Sequence, residues 1–300
     1  MKKIKIIVSH ILFFILAFVL ISCSSNKDTS VENSTNADGF EVDEDGNTNE
    51  TVTKIKAKMR GTILADEKFT KSSNSVKEKE LEEKLLAINL EKDNKGVECV
   101  YGDFESDISV WVMINGGDQE FFASKGVIIR KDGKNTCFPN VYHGNNALAA
   151  LNEENGDIIF AGGYMEGTGT HIEVLYLFKL NQDGIYEINN VVSPFEIQNE
   201  IIDKIDYSIE GNEITFIKDN KAISNVTNLE DGMGMLEEIW VGEQISYEFD
   251  DDNNIKVSVV PGKKFVTGLV LLYDDMPTFE AKVRLTDNGF TLENLKVIEE

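Results

Sequence analysis

From Val97 to its end, the sequence repeats one pattern, in which apolar and polar residues alternate over short stretches and turn-forming residues separate the stretches. The segment Ile108–Ile114 alternates in this way, and Lys131–Lys134, Gly211-Asn212 and Asn288-Gly289 are typical of hairpin turns. A period of two residues places alternate side chains on opposite faces of a strand. The pattern therefore predicts a mainly β domain of the α+β class, built from antiparallel hairpins.

Two segments interrupt this pattern with the periodicity of helices. In Ser75–Leu90, apolar residues recur at helical spacing among many Glu and Lys residues. The second segment begins with Ser193-Pro194-Phe195-Glu196, which has the form of a capping box with proline at the first helical position. Isoleucines at helical spacing follow and predict a helix that ends near Ile205. We expect both helices to pack against the β structure.

Two predicted strands differ from the others in the distribution of their apolar residues. Ile172–Leu180 is apolar on both faces, which indicates a central position in a sheet. Lys54–Arg60 alternates apolar residues with basic ones. Such a stripe is typical of an edge strand that lysines protect from aggregation, and an anion-binding face is the alternative.

The N-terminus has the organisation of a secretory signal. Three lysines in the first five residues precede the apolar stretch Ile6–Ile21, which is shorter than the roughly 20 residues of a membrane-spanning helix. Leu20-Ile21-Ser22-Cys23 then resembles a bacterial lipobox. The resemblance implies that residues 1–22 are a lipoprotein signal peptide and that a diacylglyceryl group is attached to the Cys23 thiol. A plain signal peptide and an uncleaved anchor are the alternatives.

The rest of the chain divides by composition into a linker and a folded region. Residues 23–53 are rich in Ser, Asn, Thr, Asp and Glu and hold few large apolar residues, which predicts a disordered acidic spacer behind the lipid. Residues 54–300 carry the strand and helix patterns and are expected to form a β-rich extracytoplasmic domain. A division into two smaller halves near Asn189–Val192 is the alternative.

The charge of the chain limits its partners. The sequence holds 29 basic and 53 acidic residues, for a net charge of −24 at pH 7. Binding of nucleic acid requires a basic surface, so this class of partner is excluded. The same acidity repels anionic lipid headgroups, so the attached lipid is expected to hold the protein at the extracytoplasmic face of the cell membrane. A cell-envelope protein or a cationic ligand is the expected partner.

Two cysteines and two histidines of the folded region are the candidates for special chemistry. Cys99 and Cys137 lie in or beside predicted strands, and in an oxidising compartment they form either a disulfide or two separate buried thiols. His171 and Glu173 project to one face of a strand. Together with His143 and Glu166, which lie in separate predicted loops, they form a polar site if those loops meet.

The sequence shows none of the common catalytic or cofactor motifs. Gly-x-Ser-x-Gly, His-Glu-x-x-His and a phosphate-cradling glycine loop are all missing from it. Asp250–Asn254 offers oxygen ligands of the kind that calcium prefers, but without the spacing of an EF-hand, and is interpreted as a solvated hairpin tip. No resident metal or cofactor is therefore expected.

One further stretch has a resemblance of its own. Asn155–Phe160 and Gly167–Leu175 together resemble a pattern in uncharacterised lipoproteins and surface proteins of Gram-positive bacteria, in which a Gly-Thr-Gly loop joins two strands. The resemblance covers about 25 residues and implies no activity. The expected function is that of a membrane-anchored, non-catalytic binding or scaffolding module. An extracytoplasmic hydrolase that uses carboxylates or a His–Glu pair is the alternative.

Overall fold

The protein is described by a computed structural model. The described residues are 56–64, 69, 76–91, 96–114, 124–167, 169–211, 213–227, 236–250, 253–265, 271–273, 275–286 and 289–298. The predicted signal peptide, Cys23 and the predicted linker lie outside them. Thr53–Glu300 forms one compact unit.

The described residues form two helices and twenty strands. The helices are α1 (Val76–Ala87) and α2 (Pro194–Lys204). The first ten strands are β1 (Ala57–Lys58), β2 (Arg60–Gly61), β3 (Val97–Tyr101), β4 (Ile108–Met113), β5 (Lys125–Lys131), β6 (Lys134–Tyr142), β7 (Leu148–Leu151), β8 (Ile158–Gly167), β9 (Thr170–Leu180) and β10 (Tyr186–Val192). The others are β11 (Asp206–Glu210), β12 (Glu213–Lys218), β13 (Lys221–Thr227), β14 (Leu236–Val241), β15 (Gln244–Phe249), β16 (Ile255–Val259), β17 (Gly262–Phe265), β18 (Leu271–Leu272), β19 (Thr278–Thr286) and β20 (Gly289–Ile298).

These strands form four sheets, and nearly all neighbouring strands within them run antiparallel. Three sheets have four strands each, in the orders β3-β4-β5-β6, β1-β11-β12-β13 and β18-β17-β14-β2. The large sheet has the order β20-β19-β16-β15-β9-β8-β7, and β10 also pairs with β9. The short β2–β14 and β9–β15 pairs are parallel. The prediction of a mainly β, hairpin-rich α+β domain is confirmed.

Helix α1 covers one face of the β3–β6 sheet. Its buried residues Leu81 and Leu85 belong to a small hydrophobic core with Trp111 and Ile128 of that sheet. The opposite face of the same sheet packs against β8, β9 and β10 in a second core. This core is rich in aromatic side chains, including Phe138, Phe160, Tyr176, Phe178 and Tyr186.

Strand β9 is the central strand that its composition predicts. Val174, Tyr176 and Phe178 are buried in the second core, while Leu175 on the alternate face is buried in a third and larger core. This third core also receives helix α2. The alternative domain boundary near Asn189–Val192 falls inside β10, which pairs with β9.

Helix α2 begins with the predicted capping box. The Ser193 hydroxyl accepts a hydrogen bond from the backbone N–H of Glu196, and the Glu196 carboxylate accepts one from the backbone N–H of Ser193. The helix ends at Lys204, one residue before the predicted end. Ile197 and Ile201 are fully buried, because the helix lays one apolar face on the third core.

The described part of the basic stripe, from Lys56 onward, forms two short edge strands rather than one. Strand β1 is at the edge of one sheet and β2 is at the edge of another. The ammonium of Lys58 donates to the backbone carbonyls of Ile202 and Asp203 at 2.9 Å, near the carbonyl end of α2. Arg60 pairs with Glu238 at 3.0 Å. These contacts commit both cations to intramolecular partners and favour the edge-strand interpretation.

Among the described residues, neither helix has the length and apolar character that a membrane span requires.

Candidate functional site

The structure brings the side chains of His171 and Glu173 into contact and places the backbone of Glu166 opposite His171. His171 and Glu173 project from the start of β9, and the His171 Nε2 to Glu173 Oε1 distance is 2.8 Å. Glu173 is 3% exposed. Its other oxygen, Oε2, accepts a hydrogen bond of 2.7 Å from the backbone N–H of Tyr247 in β15. Both oxygens of the buried carboxylate therefore have partners.

The position of Glu173 explains these bonds. Strands β9 and β15 pair through only two residue pairs, at Gln244 with His171 and at Ile245 with Ile172. Beyond these two pairs, the Glu173 carboxylate, in place of a backbone carbonyl of β9, accepts the hydrogen bond from the Tyr247 N–H. From Leu175 onward, β10 pairs with this edge of β9. Glu173 thus stabilises the junction at which β15 leaves β9.

The Tyr247 hydroxyl is buried beside this junction. Burial raises its pKa well above the ordinary value, and the nearby Glu173 and Glu196 carboxylates raise the pKa further. Among the described residues the hydroxyl has no hydrogen-bond partner. A phenol that stays protonated at physiological pH is unsuited to act as a general base here.

His143 is placed apart from this pair. The backbone of His143 packs against Gly162 of β8, whose register partner is Val174. Because side chains alternate along a strand, Val174 and Glu173 lie on opposite faces of β9. His143 is therefore on the other side of the β8–β9 hairpin from the His171–Glu173 pair. The backbone of Glu166 is in register with His171, and the side chain of Glu166 is outside the described part.

Replacement of Glu173 separates a structural role from a catalytic one. Glu173→Leu leaves the Tyr247 N–H without its acceptor and is expected to destabilise the protein by about 1–3 kcal/mol. Glu173→Gln retains an acceptor oxygen and is expected to cost clearly less. Chemical unfolding of the two purified variants measures the difference. Unfolding curves that match the parent for both variants would show that Glu173 does not hold the junction.

The two cysteines lie at opposite edges of the β3–β6 sheet as free thiols. Cys99 is paired with Trp111, Trp111 with Ile128, and Ile128 with Cys137, so the four residues form one row across the sheet. Three strand spacings of about 4.8 Å separate the cysteines, whereas Cα atoms in a disulfide lie roughly 4.4–6.8 Å apart. The disulfide alternative does not fit this sheet, because two strands stand between the thiols.

The environment of both thiols disfavours the reactive thiolate. Burial raises the pKa of Cys99. Burial, and secondarily the negative charge of Glu82, raise the pKa of Cys137 to about 11. The thiolate is the nucleophilic form of cysteine, and both thiols remain protonated at neutral pH.

The large sheet carries a cleft that the sequence did not reveal. The cleft has a volume of 530 Å³, within the range of roughly 300–1,000 Å³ that is typical of ligand sites. It is lined on one side by β8, β9 and the loop before β8, and on the other by β16, β19, β20 and the turn before β16. The lining residues are Asn152, Asn155, Asp157, Ile159, Leu177, Lys179, Asn253, Asn254, Ile255, Lys282, Val283, Arg284, Leu285, Thr286 and Glu293.

The apolar part of this lining comes from two cross-strand pairs. Ile159 is paired with Leu177 between β8 and β9, and Ile255 is paired with Val283 between β16 and β19. Leu285 adds to the second pair. Leu177, Ile255 and Val283 are almost wholly buried, so they form the floor of the cleft and its accessible surface is mainly polar.

Two asparagine side chains connect the surroundings of the cleft. The Asn253 amide donates to the carbonyl oxygen of Leu151 at 3.0 Å and so ties the β15–β16 turn to the end of β7. The Asn190 amide donates to the carbonyl oxygens of Thr286 and Gly289 and so ties β10 to the β19–β20 turn. Hydrogen bonds to backbone on both sides favour a cleft that is formed before any ligand binds.

The turn that includes Asp250 and Asn254, interpreted from the sequence as a solvated hairpin tip, lies at the edge of this cleft. Asp250 Oδ1 accepts hydrogen bonds from the backbone N–H and the side-chain amide of Asn254, which close the turn. Within the described residues, no group of three or more His, Cys, Asp or Glu side chains has the arrangement of a metal site.

Comparisons of the chain with protein-family models, curated proteins and solved structures found no match. A function for this chain is therefore proposed from its own sequence and geometry.

Sequence reasoning missed the cleft because its walls come from distant segments. Ile159 and Val283 lie in strands that the sequence predicts, but alternation assigns each only to a buried face. The one available signal was Lys282-Val283-Arg284-Leu285, where two cations alternate with apolar residues. A solvated edge would give the same pattern.

Proposed function

We propose that this protein is a lipid-anchored, extracytoplasmic binding protein, and that the cleft in its large sheet is the ligand site. The observation that carries this proposal is the cleft itself, a concave surface of about 530 Å³ whose accessible lining is mainly polar. Its volume is in the range of typical ligand sites, and its asparagine, carboxylate and cationic side chains are groups that can orient a ligand.

The lipobox resemblance supports the anchored location. Attachment of two acyl chains at Cys23 would give stable membrane binding, since one chain alone is marginal. A flexible spacer of about 30 residues has a root-mean-square reach of roughly 30 Å. The cleft would then be held near the membrane without contact with an acidic lipid surface, which the acidic protein repels.

The candidate catalytic groups are either already hydrogen-bonded or held in their protonated form, which favours binding over catalysis. The Glu173 carboxylate is buried with both oxygens bonded, and the Cys99 and Cys137 thiols favour the protonated form. We therefore propose a non-catalytic function for this domain.

Photocrosslinking in cells tests the cleft as the binding site. The photoreactive residue p-benzoylphenylalanine is placed at Ile159, a half-buried lining residue, and in a matched variant at Ile209, which is 37% exposed on β11. We expect a crosslinked product at position 159 and none at position 209. Equal products at both positions, or none at either, would contradict the proposal.

A further inference from the structure

We propose that the ligand of the cleft is a neutral, hydroxyl-rich molecule of the oligosaccharide class. This inference rests on the proposed function of the cleft and names the chemistry of its ligand. Three features of the lining support it. The accessible surface of the lining is mainly polar, its charges are compensated within the protein, and its side chains include both hydrogen-bond donors and acceptors.

Each side of the cleft carries one pair of opposite charges. On the side of β8 and β9, the Lys179 ammonium lies 4.0 Å from the Asp157 carboxylate. On the side of β19 and β20, the Arg284 guanidinium lies 3.5 Å from the Glu293 carboxylate. Because each pair has no net charge, neither side of the cleft selects for an anionic or a cationic ligand.

The third cation of the lining is connected to a carboxylate through an amide. The Lys282 ammonium donates to the side-chain oxygen of Asn254, and the side-chain nitrogen of Asn254 donates to the Asp250 carboxylate. The amide dipole therefore lies between the two charges with its oxygen toward the cation. A charged ligand would have to compete with these internal partners, whereas an uncharged ligand leaves them in place.

The pair of Arg284 and Glu293 has hydrogen-bonding capacity that a ligand can use. Its 3.5 Å separation is longer than the N–H···O distance of an ordinary hydrogen bond, which is about 2.9 Å, and the two side chains are 71% and 40% exposed. A guanidinium has several N–H donors and a carboxylate has several acceptor positions. A hydroxyl group both donates and accepts, so adjacent hydroxyls of a sugar ring match a donor and an acceptor that lie side by side.

The floor of the cleft disfavours an apolar ligand. Leu177, Ile255 and Val283 are 6%, 4% and 2% exposed, so they have little surface left for a ligand to cover. An apolar ligand would also take the polar side chains of the lining out of water without replacing their hydrogen bonds, which is unfavourable. The hydroxyls of an oligosaccharide replace those hydrogen bonds.

A glycan array tests the class of the ligand. The purified protein, labelled with a fluorophore, is applied to an array that holds neutral, acidic and amino oligosaccharides. We expect it to bind neutral oligosaccharides and neither of the charged classes. Isothermal titration calorimetry with the neutral oligosaccharide that gives the strongest signal then measures a dissociation constant. Because this ligand has no charge for salt to screen, we expect the constant to be the same at low and high salt.

Three variants locate the bound oligosaccharide. Arg284→Ala removes charge-assisted hydrogen bonds and is expected to raise the dissociation constant about tenfold. The matched control, Lys296→Ala, removes an exposed lysine that pairs with Glu280 outside the lining of the cleft and is expected to leave the constant unchanged. Ile159→Trp places a large side chain in the cleft and is expected to weaken binding at least as much as Arg284→Ala.

The outcomes separate this inference from the proposed function. Binding of acidic or amino oligosaccharides alone, binding of no oligosaccharide, or an unchanged dissociation constant in either Arg284→Ala or Ile159→Trp would overturn the oligosaccharide ligand. A crosslinked product at position 159 and none at position 209 would then still support the cleft as a ligand site. Equal products at both positions would overturn the cleft and this inference together.

Discussion

Replacing Cys23 with alanine is expected to abolish incorporation of labelled palmitate into the protein. The substitution removes the thiol that carries the proposed diacylglyceryl group, and no other group in the chain resembles a lipidation site. The lipobox resemblance places the cleavage point directly before the lipid-modified cysteine. Loss of that cysteine is therefore also expected to leave residues 1–22 attached to the variant. Growth with radioactive palmitate, followed by mass spectrometry of the N-terminal peptide, measures both effects in a bacterium that processes lipoproteins.

The other two cysteines provide the control for this experiment. Cys99→Ala and Cys137→Ala each remove a thiol from the β3–β6 sheet, and both variants are expected to keep the full palmitate label. If the parent protein takes up no label, the N-terminus is a plain signal peptide or an uncleaved anchor. Label that persists in Cys23→Ala would place the lipid elsewhere and contradict the proposed anchor.

Gly162→Ala is expected to be among the most destabilising single substitutions in the domain. A Cβ atom at Gly162 would lie 2.0 Å from the carbonyl oxygen of Tyr142 and 2.8 Å from the Cα of His143. Both atoms belong to backbone, so relief requires the segment after β6 to move away from β8. This movement would also disturb the hydrogen bond from the Tyr142 N–H to the buried Tyr176 hydroxyl.

The expected cost is about 3 kcal/mol, at the upper end of the usual range for overpacking. In a domain of this size that cost lowers the melting temperature by roughly 6–12 °C. Gly96→Ala is the matched control, since a Cβ there meets nothing within 4 Å. Calorimetry of both variants measures the effect. Equal melting temperatures would show that the contact between the β3–β6 sheet and the large sheet does not depend on Gly162.

Structural elements that depend on residues close together in sequence were predicted with nearly correct boundaries. The turn at Lys131–Lys134, the capping box at Ser193 and the central position of β9 all depend on residues close to one another in sequence. Turn chemistry, capping and alternation act over a few residues, so one sequence contains the information they need.

Features that depend on distant pairs were not predictable in the same way. Cys99 and Cys137 both lie in the predicted type of element, yet two intervening strands keep them apart. The sequence also treated Lys54–Arg60 as one strand, whereas its two short strands join different sheets. Pairing partners of a strand depend on packing with the whole domain, which periodicity does not encode.

The sequence by itself determined the β class, the hairpins, the two helices and the likeness of its N-terminus to a lipoprotein signal. Only the tertiary structure decided that Glu173 accepts a hydrogen bond from Tyr247, 74 residues away, at the point where β15 leaves β9. The same separation sets Ile159 and Leu177 across from Ile255 and Val283 and forms the cleft. The physical reason is that strand alternation specifies which side chains are buried, whereas the order in which strands pair specifies what they are buried against.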